Sequence, residues 1–227
     1  MRMKNILKTI LGIINTIYIA IFKNINQKKS FFYLSKFSVH SNNNLYFSHS
    51  KILNTKFFIK GRRNYISAEE SLISGCQINI SGEGNKLVLE EGVKLRNAII
   101  HIRGKNCIIR IGKETSTGGI RIVNVGTDNT IEIGEGCLFA DFIEIWASDT
   151  HSILDENDKV INQEKPIKIG NNVWVGSHVK ILKGVTIEDW AIIGMGALVV
   201  SDVPKNSISI GFPNKVIKNN VKWTLEY

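Results

Sequence analysis

Residues 167–203 read IKIGNNVWVGSHVKILKGVTIEDWAIIGMGALVVSDV, and this stretch decides the fold. Every sixth residue in it carries a large aliphatic side chain: Ile169, Val175, Ile181, Ile187, Ile193 and Val199. Four places after each of these stands a small or β-branched residue: Val173, Val179, Val185, Ala191, Ala197 and Val203. A period of six fits neither an α-helix nor a strand with plain alternation. It is typical of hexapeptide repeats, in which three hexads form one triangular coil of a parallel β-helix and the aliphatic side chains stack inside.

The chain before this stretch repeats with a longer period. Asn43, Asn64, Asn85 and Asn106 are spaced 21 residues apart, and Asn129 follows 23 residues later. The last four close glycine-containing turns that lead into short strand patterns, and both asparagine and glycine tolerate the left-handed backbone of such corners. One coil with a few extra corner residues accounts for this period. We therefore predict an all-β protein with a single β-helix domain over residues 40–212.

Composition and charge narrow the function. The chain has 227 residues, 43% apolar and 22% charged, which is the composition of a globular protein. Its net charge of +9 divides unevenly, because residues 1–68 carry twelve Lys and Arg and no Asp or Glu. This division argues against a uniformly basic nucleic-acid-binding protein and favours a basic anchor on a nearly neutral domain. Cys76, Cys107 and Cys137 are widely spaced, so we expect reduced thiols rather than a disulfide framework or a zinc site.

The two ends of the chain lie outside the repeats. Residues 1–30 are predicted to form a basic, apolar helix, since Asn5–Phe22 is rich in isoleucine and flanked by lysines. Its uncharged stretch is shorter than a membrane span, so an interfacial helix on an anionic leaflet and a helix docked on the protein both remain open. Residues 213–227 are predicted to form a short C-terminal helix. We expect a cytoplasmic protein and leave open a peripheral position at the inner face of the membrane.

One segment, residues 148–165, interrupts the repeats and is predicted to protrude as a loop. Loops on rigid scaffolds are where binding and catalytic residues are commonly placed. His151 in this loop can accept a proton near neutral pH. Asp149 or Asp155 could hold the other ring nitrogen of His151, as a general base requires. The loop is therefore the predicted catalytic segment.

Three motifs together resemble a known family: SDTHSILD at 148–155, the long stretch KPIKIGNNVWVGSHVKILKGVTIEDWAIIGMGALVVSDVP at 165–204, and GFPNKVIK at 211–218. They resemble the hexapeptide-repeat, left-handed β-helix O-acetyltransferases, nearest to those that modify bacterial capsular polysaccharide, lipopolysaccharide and sugars. The resemblance is dense over residues 130–219, rests on the coil pattern alone over 40–129, and does not cover the N-terminal helix. It implies left-handed coils and direct transfer of an acetyl group from acetyl-CoA to a sugar hydroxyl, without a covalent acyl-enzyme or a metal.

The resemblance also implies roles for individual residues. His151 matches the catalytic histidine, and Trp174 matches a tryptophan beside the acetyl group whose indole N–H could donate to the oxyanion. With the neighbouring Asp149, these are the predicted catalytic residues. The predicted acetyl-CoA groove is lined by small residues and reached by two lysines: Gly176, Ser177, Gly194, Met195, Gly196, Lys205 and Lys215. Relatives often carry Thr-Lys where this chain has Val200-Ser201, so a cofactor contact through that lysine is in doubt.

Relatives are trimers with the site between neighbouring subunits, so a homotrimer that acts on a sugar or polysaccharide is implied. The residues expected to face the acceptor are Trp146, Asn124, Asp141 and Asp155. The other histidines have no partners in sequence and are interpreted as surface or coil residues: His40, His49, His101 and His178. Two alternatives stay open, namely N-acetylation of an amino-sugar nucleotide and a non-enzymatic β-helix scaffold.

Overall fold

A computed structural model describes residues 24–226, and within them the chain forms a parallel β-helix. Its strands, numbered in chain order, lie in three sheets that form the three faces. Sheet A contains β1 (Ile25–Lys28), β4 (Asn44–Ser48), β7 (Tyr65–Glu69), β10 (Lys86–Leu89), β13 (Ile108–Ile111), β16 (Thr130–Ile133), β19 (Ile167–Ile169) and β22 (Thr186–Ile187). Sheet B contains β2 (Phe31–Tyr33), β5 (Lys51–Leu53), β8 (Leu72–Ser74), β11 (Lys94–Arg96), β14 (Ser116–Thr117), β17 (Leu138–Phe139), β20 (Trp174–Val175), β23 (Ile192–Ile193), β25 (Ser207–Ile210) and β26 (Lys215–Asn219). Sheet C contains β3 (Lys36–Val39), β6 (Lys56–Arg62), β9 (Gln77–Glu83), β12 (Ile99–Lys105), β15 (Ile120–Thr127), β18 (Ile143–Trp146), β21 (Lys180–Leu182) and β24 (Leu198–Val199).

The hexad residues form the core, as the sequence predicts. All twelve aliphatic positions between Ile169 and Val203 are at most 2% exposed. The large aliphatic residues of successive hexads lie on sheets A, B and C in turn, so each coil contributes one of them to every face. In the first coils phenylalanine shares the core with aliphatic residues, and the rings of Phe37 and Phe57 stack with centroids 4.5 Å apart. The burial of this ladder is the main source of the fold's stability.

A ladder of buried asparagines runs along the corner that leads into sheet A. The Asn64 side chain donates to Oδ1 of Asn43, and the Asn85 side chain donates to Oδ1 of Asn64. The next coil continues this ladder through Cys107, whose backbone N–H donates to Oδ1 of Asn85. Asn106 instead occupies the exposed corner with a φ of 54°. The ladder therefore shifts by one residue from the spacing that the sequence suggests.

The three cysteines are free and buried, as expected. Cys137 lies inside the coil and its Sγ accepts the backbone N–H of Val173. Desolvation by burial raises the pKa of Cys76 and of Cys137 to about 11. These thiols are corner residues of the core rather than reactive groups.

The structure corrects both predicted ends of the domain. Among the described residues the first strand of the β-helix is β1, which starts at Ile25, well before residue 40. The sequence pattern does not reveal these first coils because they are rich in phenylalanine and lack the glycine-bearing corners of later ones. The predicted N-terminal helix lies mostly outside the described residues, and its last part, Ile25–Lys28, is strand β1. The C-terminal helix is wrong, since Lys215–Asn219 forms β26, which pairs antiparallel with β25. This strand covers the edge that the last coil would otherwise leave unpaired.

Most of the basic residues among the first 68 lie on the β-helix and not on a separate anchor. Eight of the twelve Lys and Arg before Glu69 fall within residues 24–68, on the coils themselves. Within residues 24–226 no helix has the length and hydropathy of a membrane span.

Candidate active site

The predicted loop leaves the β-helix between β18 and β19. It is the longest excursion from the coils within residues 24–226. Its tip is a small hairpin in which Leu154 and Val160 form an antiparallel bridge. Asp155, predicted to contact the acceptor, closes this hairpin turn by accepting the backbone N–H groups of Asn157 and Lys159. Its carboxylate is thus occupied within the loop.

The base of the loop is held by Asp149, Asn162 and Lys183. Lys183 Nζ lies 2.5 Å from Asp149 Oδ2 and donates to the backbone oxygen of Asn162 at 2.8 Å. The Asn162 side-chain amide donates to Asp149 Oδ2 and to the backbone oxygen of His151. Hydrogen bonds from Lys183, and second from Asn162, hold the pKa of Asp149 below its ordinary value. Asp149 therefore anchors the loop, and among the described residues it makes no hydrogen bond to the His151 ring, contrary to the predicted pairing.

The sequence does not single out Asn162 or Lys183, which lie 11 and 32 residues after His151. Asn162 belongs to no motif, and Lys183 lies within the repeat stretch 165–204 without occupying one of its inward positions. Lys183 follows β21, the strand that pairs with β18 immediately before the loop. Alignment of the coils around the interruption would have placed it there.

His151 is exposed at the rim of a pocket of about 320 Å³ on the outward side of sheet C. Thr150, immediately before it, has a φ of 63°, a conformation that is strained for a β-branched residue. The pocket combines apolar, basic and imidazole side chains; it is lined by Asn79, Ser81, His101, Ile102, Arg103, Arg121, Val123, Val125, Trp146, Thr150 and His151. Trp146 is half-buried, and its indole N–H donates to Glu144 Oε2. The structure thus brings together His151 and Trp146 from the predicted set.

Three basic residues of this pocket are additions to the sequence analysis. His101, interpreted as a surface or coil histidine, is half-buried there, beside the exposed Arg103 and Arg121. The guanidinium of Arg121 lies 5.3 Å from the centre of the Trp146 ring. Burial, and second the charge of Arg121, lower the pKa of His101. In the register of sheet C, His101 pairs with Val123 and Val123 with Trp146. Because His101, Val123 and Trp146 follow one another at intervals of about one coil, this spacing could have placed His101 beside the pocket from the sequence.

Asn124 and Asp141 do not reach this pocket. Asn124 is fully buried, and its amide donates to the backbone oxygens of Ile108 and Asn129. It pairs in register with Ile102 and points into the core, so the predicted contact with the acceptor is wrong. Asp141 is exposed at the corner between sheets B and C, where it accepts the backbone N–H of Gly119.

Trp174 stands on a different face, on strand β20 of sheet B. It is 41% exposed, and among the described residues its indole N–H has no hydrogen-bond partner. The C-terminal segment returns across this region, because Trp223 donates to the backbone oxygen of Asn172 and its ring lies 6.2 Å from that of Trp174. Within one chain, Trp174 and His151 therefore belong to separate surfaces.

The residues predicted to line the acetyl-CoA groove lie along the corners that follow sheet B. A Cβ on Gly176 would come within 2.8 Å of the Met195 backbone N, so coil packing already requires glycine there. A Cβ on Gly194 would lie 2.5 Å from Ile210 Cγ2, whereas the space beside Gly196 is open. Met195 is exposed and Ser177 is half-buried. Gly196 borders a second pocket, of about 440 Å³, which also contains Phe142, His178 and Phe212.

The two lysines predicted near the CoA phosphates lie apart from this second pocket. Lys205 precedes β25 and its backbone N–H donates to Glu188 Oε2, while Lys215 begins β26 and is exposed. Among residues 24–226 there is no group of three or more His, Cys, Asp or Glu side chains placed to hold a metal ion.

Known proteins share this architecture. A family model described as bacterial transferase hexapeptide (six repeats) matches residues 166–201. Galactoside O-acetyltransferase of Escherichia coli K12 is 41% identical over 93 residues, which make up 40% of this chain and 45% of that protein. Polysialic acid O-acetyltransferase of Escherichia coli O1:K1 / APEC is 34% identical over 138 residues, or 60% of this chain and 43% of that protein. The crystal structure of the polySia-specific acetyltransferase NeuO superimposes with a TM-score of 0.71 at 28% identity, covering 89% of this chain and 90% of that one.

The chain therefore contains bacterial transferase hexapeptide repeats over residues 166–201 and is similar in sequence and fold to these O-acetyltransferases. Its β-helix matches the left-handed β-helices of known acetyltransferases, as the resemblance implied. The chain spans less than half the length of the two curated relatives, whereas its likeness to NeuO extends over most of both chains.

The family match and the pocket fall on different parts of the molecule. The hexapeptide match over residues 166–201 covers the coils that carry Trp174, Gly176, Ser177 and Gly194. His151 and the side chains around its pocket come from the coils and the loop before it. The hexapeptide repeats thus account for the scaffold, and the chemistry has to be argued from the pocket.

Proposed function

We propose that this protein is an acetyl-CoA-dependent O-acetyltransferase that modifies a hydroxyl of a sugar or polysaccharide. The position of His151 carries the proposal: an exposed imidazole stands at the rim of a pocket that also contains Trp146. The imidazole can accept a hydroxyl proton near neutral pH. The indole ring offers an apolar face to a sugar ring. The names of the galactoside and polysialic acid O-acetyltransferases add support.

In the proposed reaction His151 holds the acceptor hydroxyl and takes its proton as the oxygen forms the new ester bond. When bound, acetyl-CoA supplies the acetyl group as an activated thioester. The Trp174 indole N–H is free among the described residues and would donate to the negative charge that develops on the acetyl oxygen. His151 then returns the proton to the departing thiolate, so that the chain ends the cycle unchanged. The open corner at Gly196 fits an extended ligand lying against the coils.

The separation of His151 and Trp174 in one chain supports a homotrimer with shared sites. A cyclic trimer would place the loop of one chain against β20 of the next, so that each site takes His151 from one chain and Trp174 from its neighbour. The loop carries exposed apolar side chains suited to such a contact, among them Ile153, Leu154 and Ile161.

Mixed trimers test the shared site. His151→Ala and Trp174→Ala chains should each be inactive alone, because each lacks one half of every site. Trimers that contain both chains should recover about one working site in three, since one interface then combines an intact His151 with an intact Trp174. A mixture that stays inactive, although mass measurement shows mixed trimers, would contradict the arrangement.

The reaction itself is tested by thiol release and by mass spectrometry of the acceptor. His151→Ala should abolish turnover and preserve acetyl-CoA binding in titration calorimetry, whereas His40→Ala, an exposed histidine remote from the pocket, should leave turnover intact. The acceptors should include free sugars, polysaccharides and amino-sugar nucleotides, because acetylation of the last at nitrogen would replace the hydroxyl as the target. Full activity of His151→Ala would refute the mechanism.

A further inference from the structure

The face formed by sheet C has the longest strands and carries the largest total of basic residues. In the first five coils, the strands of sheet C carry seven Lys and Arg and one Glu: Lys36, Lys56, Lys60, Arg62, Arg103, Lys105, Arg121 and Glu83. The sheet A strands of the same coils carry three Lys and Arg and one Glu, and the sheet B strands carry three Lys and Arg and no acidic residue. The face with the large excess is the one that contains the His151 pocket.

The cations are aligned along the axis of the helix. Lys60, Ser81 and Arg103 occupy one register position on neighbouring strands, and Lys36, Lys56 and Gln77 occupy another. Arg103 lines the pocket, so the first of these rows starts there. Four steps between strands separate Trp146 on β18 from Lys60 on β6, which is roughly 19 Å at about 4.8 Å per step. The row is long enough for several linked sugars.

Most of these cations are available to a ligand. In the described residues, the salt bridges of this region join Arg62 and Arg63 to Glu83, and neither Lys56, Lys60 nor Arg103 has a carboxylate within 4.0 Å. Phe58 stands between Lys56 and Lys60 on β6 and is 39% exposed. Unpaired cations beside an exposed ring suit a chain that alternates anionic groups with apolar sugar faces. The planar guanidinium of Arg103 suits a carboxylate in particular.

We infer that the outward face of β6, β9, β12 and β15 binds an acidic, carboxylate-bearing polysaccharide in extended form and presents one of its sugars to His151. The inference rests on the proposed function, since it names the acceptor class of the same site. The continuity of the basic row with the pocket favours a polymer over a membrane, because a polymer fills both at once. Each contact is weak alone, and binding becomes tight only when several are made by one chain.

The test is direct binding to the full-length His151→Ala protein, so that turnover plays no part. Polysialic acid and alginate serve as acidic polymers, dextran as a neutral one, and phosphatidylglycerol vesicles as an anionic membrane. Lys56→Glu/Lys60→Glu should weaken binding of the acidic polymers about tenfold at low salt, because two exposed contacts are lost. The matched control is Lys51→Glu/Lys94→Glu, which reverses two exposed lysines on sheet B of the same coils. It should change binding less than twofold.

The outcomes separate the two hypotheses. Equal loss of binding in both double variants, binding of dextran as tight as that of the acidic polymers, or vesicles as the preferred ligand would overturn the inference that sheet C binds an acidic polysaccharide. If Lys56→Glu/Lys60→Glu loses binding but wild-type protein acetylates none of the polymers, the binding surface is supported and the proposed reaction is refuted. In protein that retains His151, Lys56→Glu/Lys60→Glu should raise KM for long acidic polymers and leave kcat unchanged.

Discussion

Replacing Lys183 by methionine should free the loop that carries His151 while the coils stay intact. The ammonium group joins Asp149 at the start of the loop to Asn162 near its end, and the side chain of Lys183 is only 17% exposed. Methionine keeps much of the aliphatic stem and removes both hydrogen bonds. The loop should then open more often, because its remaining anchor is the pair formed by Asp149 and Asn162.

The magnitude follows from the two contacts. Hydrogen bonds to a charged group contribute about 1.5–3 kcal/mol when shielded from water. Asp149 is 43% exposed, so solvent screening reduces its share toward the value of about 0–1 kcal/mol for surface pairs. We expect a loss of about 1–2 kcal/mol, which raises the open fraction of the loop by roughly 5- to 30-fold.

Amide hydrogen exchange measures this opening directly. The backbone N–H of Ile153 donates to the Asn162 side chain and that of Ile161 to the backbone oxygen of Ile153, so both should exchange faster by that factor. Amides of residues 167–203 should keep their rates. Lys180→Met is the control, since Lys180 lies 3.9 Å from Glu144 and does not contact the loop anchor. Unchanged exchange in the loop, or equal acceleration in the coils, would refute this account of how the loop is held.

Three further predictions concern acid, the corner ladder and the thiols. Because the folded loop lowers the pKa of Asp149, the stability that this carboxylate gives the loop is complete above the ordinary carboxyl pKa of about 4 and is lost as the pH falls through the lower folded value. Amide exchange in the loop should therefore speed up over that pH range relative to the coils, and Asp149→Asn should remove this pH dependence. Asn64→Ala should lower the free energy of unfolding in urea by about 2–4 kcal/mol, because the buried backbone and side-chain N–H groups of Asn85 lose their acceptor. Asn106→Gly, at an exposed left-handed corner, should change it by no more than about 0.5 kcal/mol. Similar losses in the two variants would show that the buried ladder does not run through Asn64. Cys76 and Cys137, with pKa values of about 11, should resist maleimide at pH 8, where roughly a thousandth of each thiol is ionised, and should react at once in denaturant; rapid labelling of folded protein would contradict their burial.

The hexad pattern predicts the coils well where aliphatic residues repeat strictly. It fails at the start of the domain, because Phe32, Phe37 and Phe47 fill the core there without the usual hexad partners. It fails again at the C-terminus, where the need to pair the open edge of β25 decides the structure of Lys215–Asn219. Local sequence does not contain that edge, so only the assembled coils reveal it.

The site is predictable in part for the same reason. An interruption of the repeat is visible in one dimension, so the loop and His151 could be named from the sequence. The partners of Asp149 and the inward direction of Asn124 depend on which residues face each other across coils. A one-residue shift of register exchanges inside for outside, and the uneven coil lengths before residue 130 are enough to hide it.

The same geometry changes the meaning of the basic first third of the chain. In a β-helix, residues about one coil apart in sequence lie side by side, so charge that looks like a terminal segment becomes a row along one face. Lys60 and Arg103 are 43 residues apart and occupy one register position two strands apart. Each added coil lengthens such a face without disturbing the pocket at its end. A rigid stack can therefore separate recognition, on the N-terminal coils, from chemistry, at the loop, and still hold both on one surface.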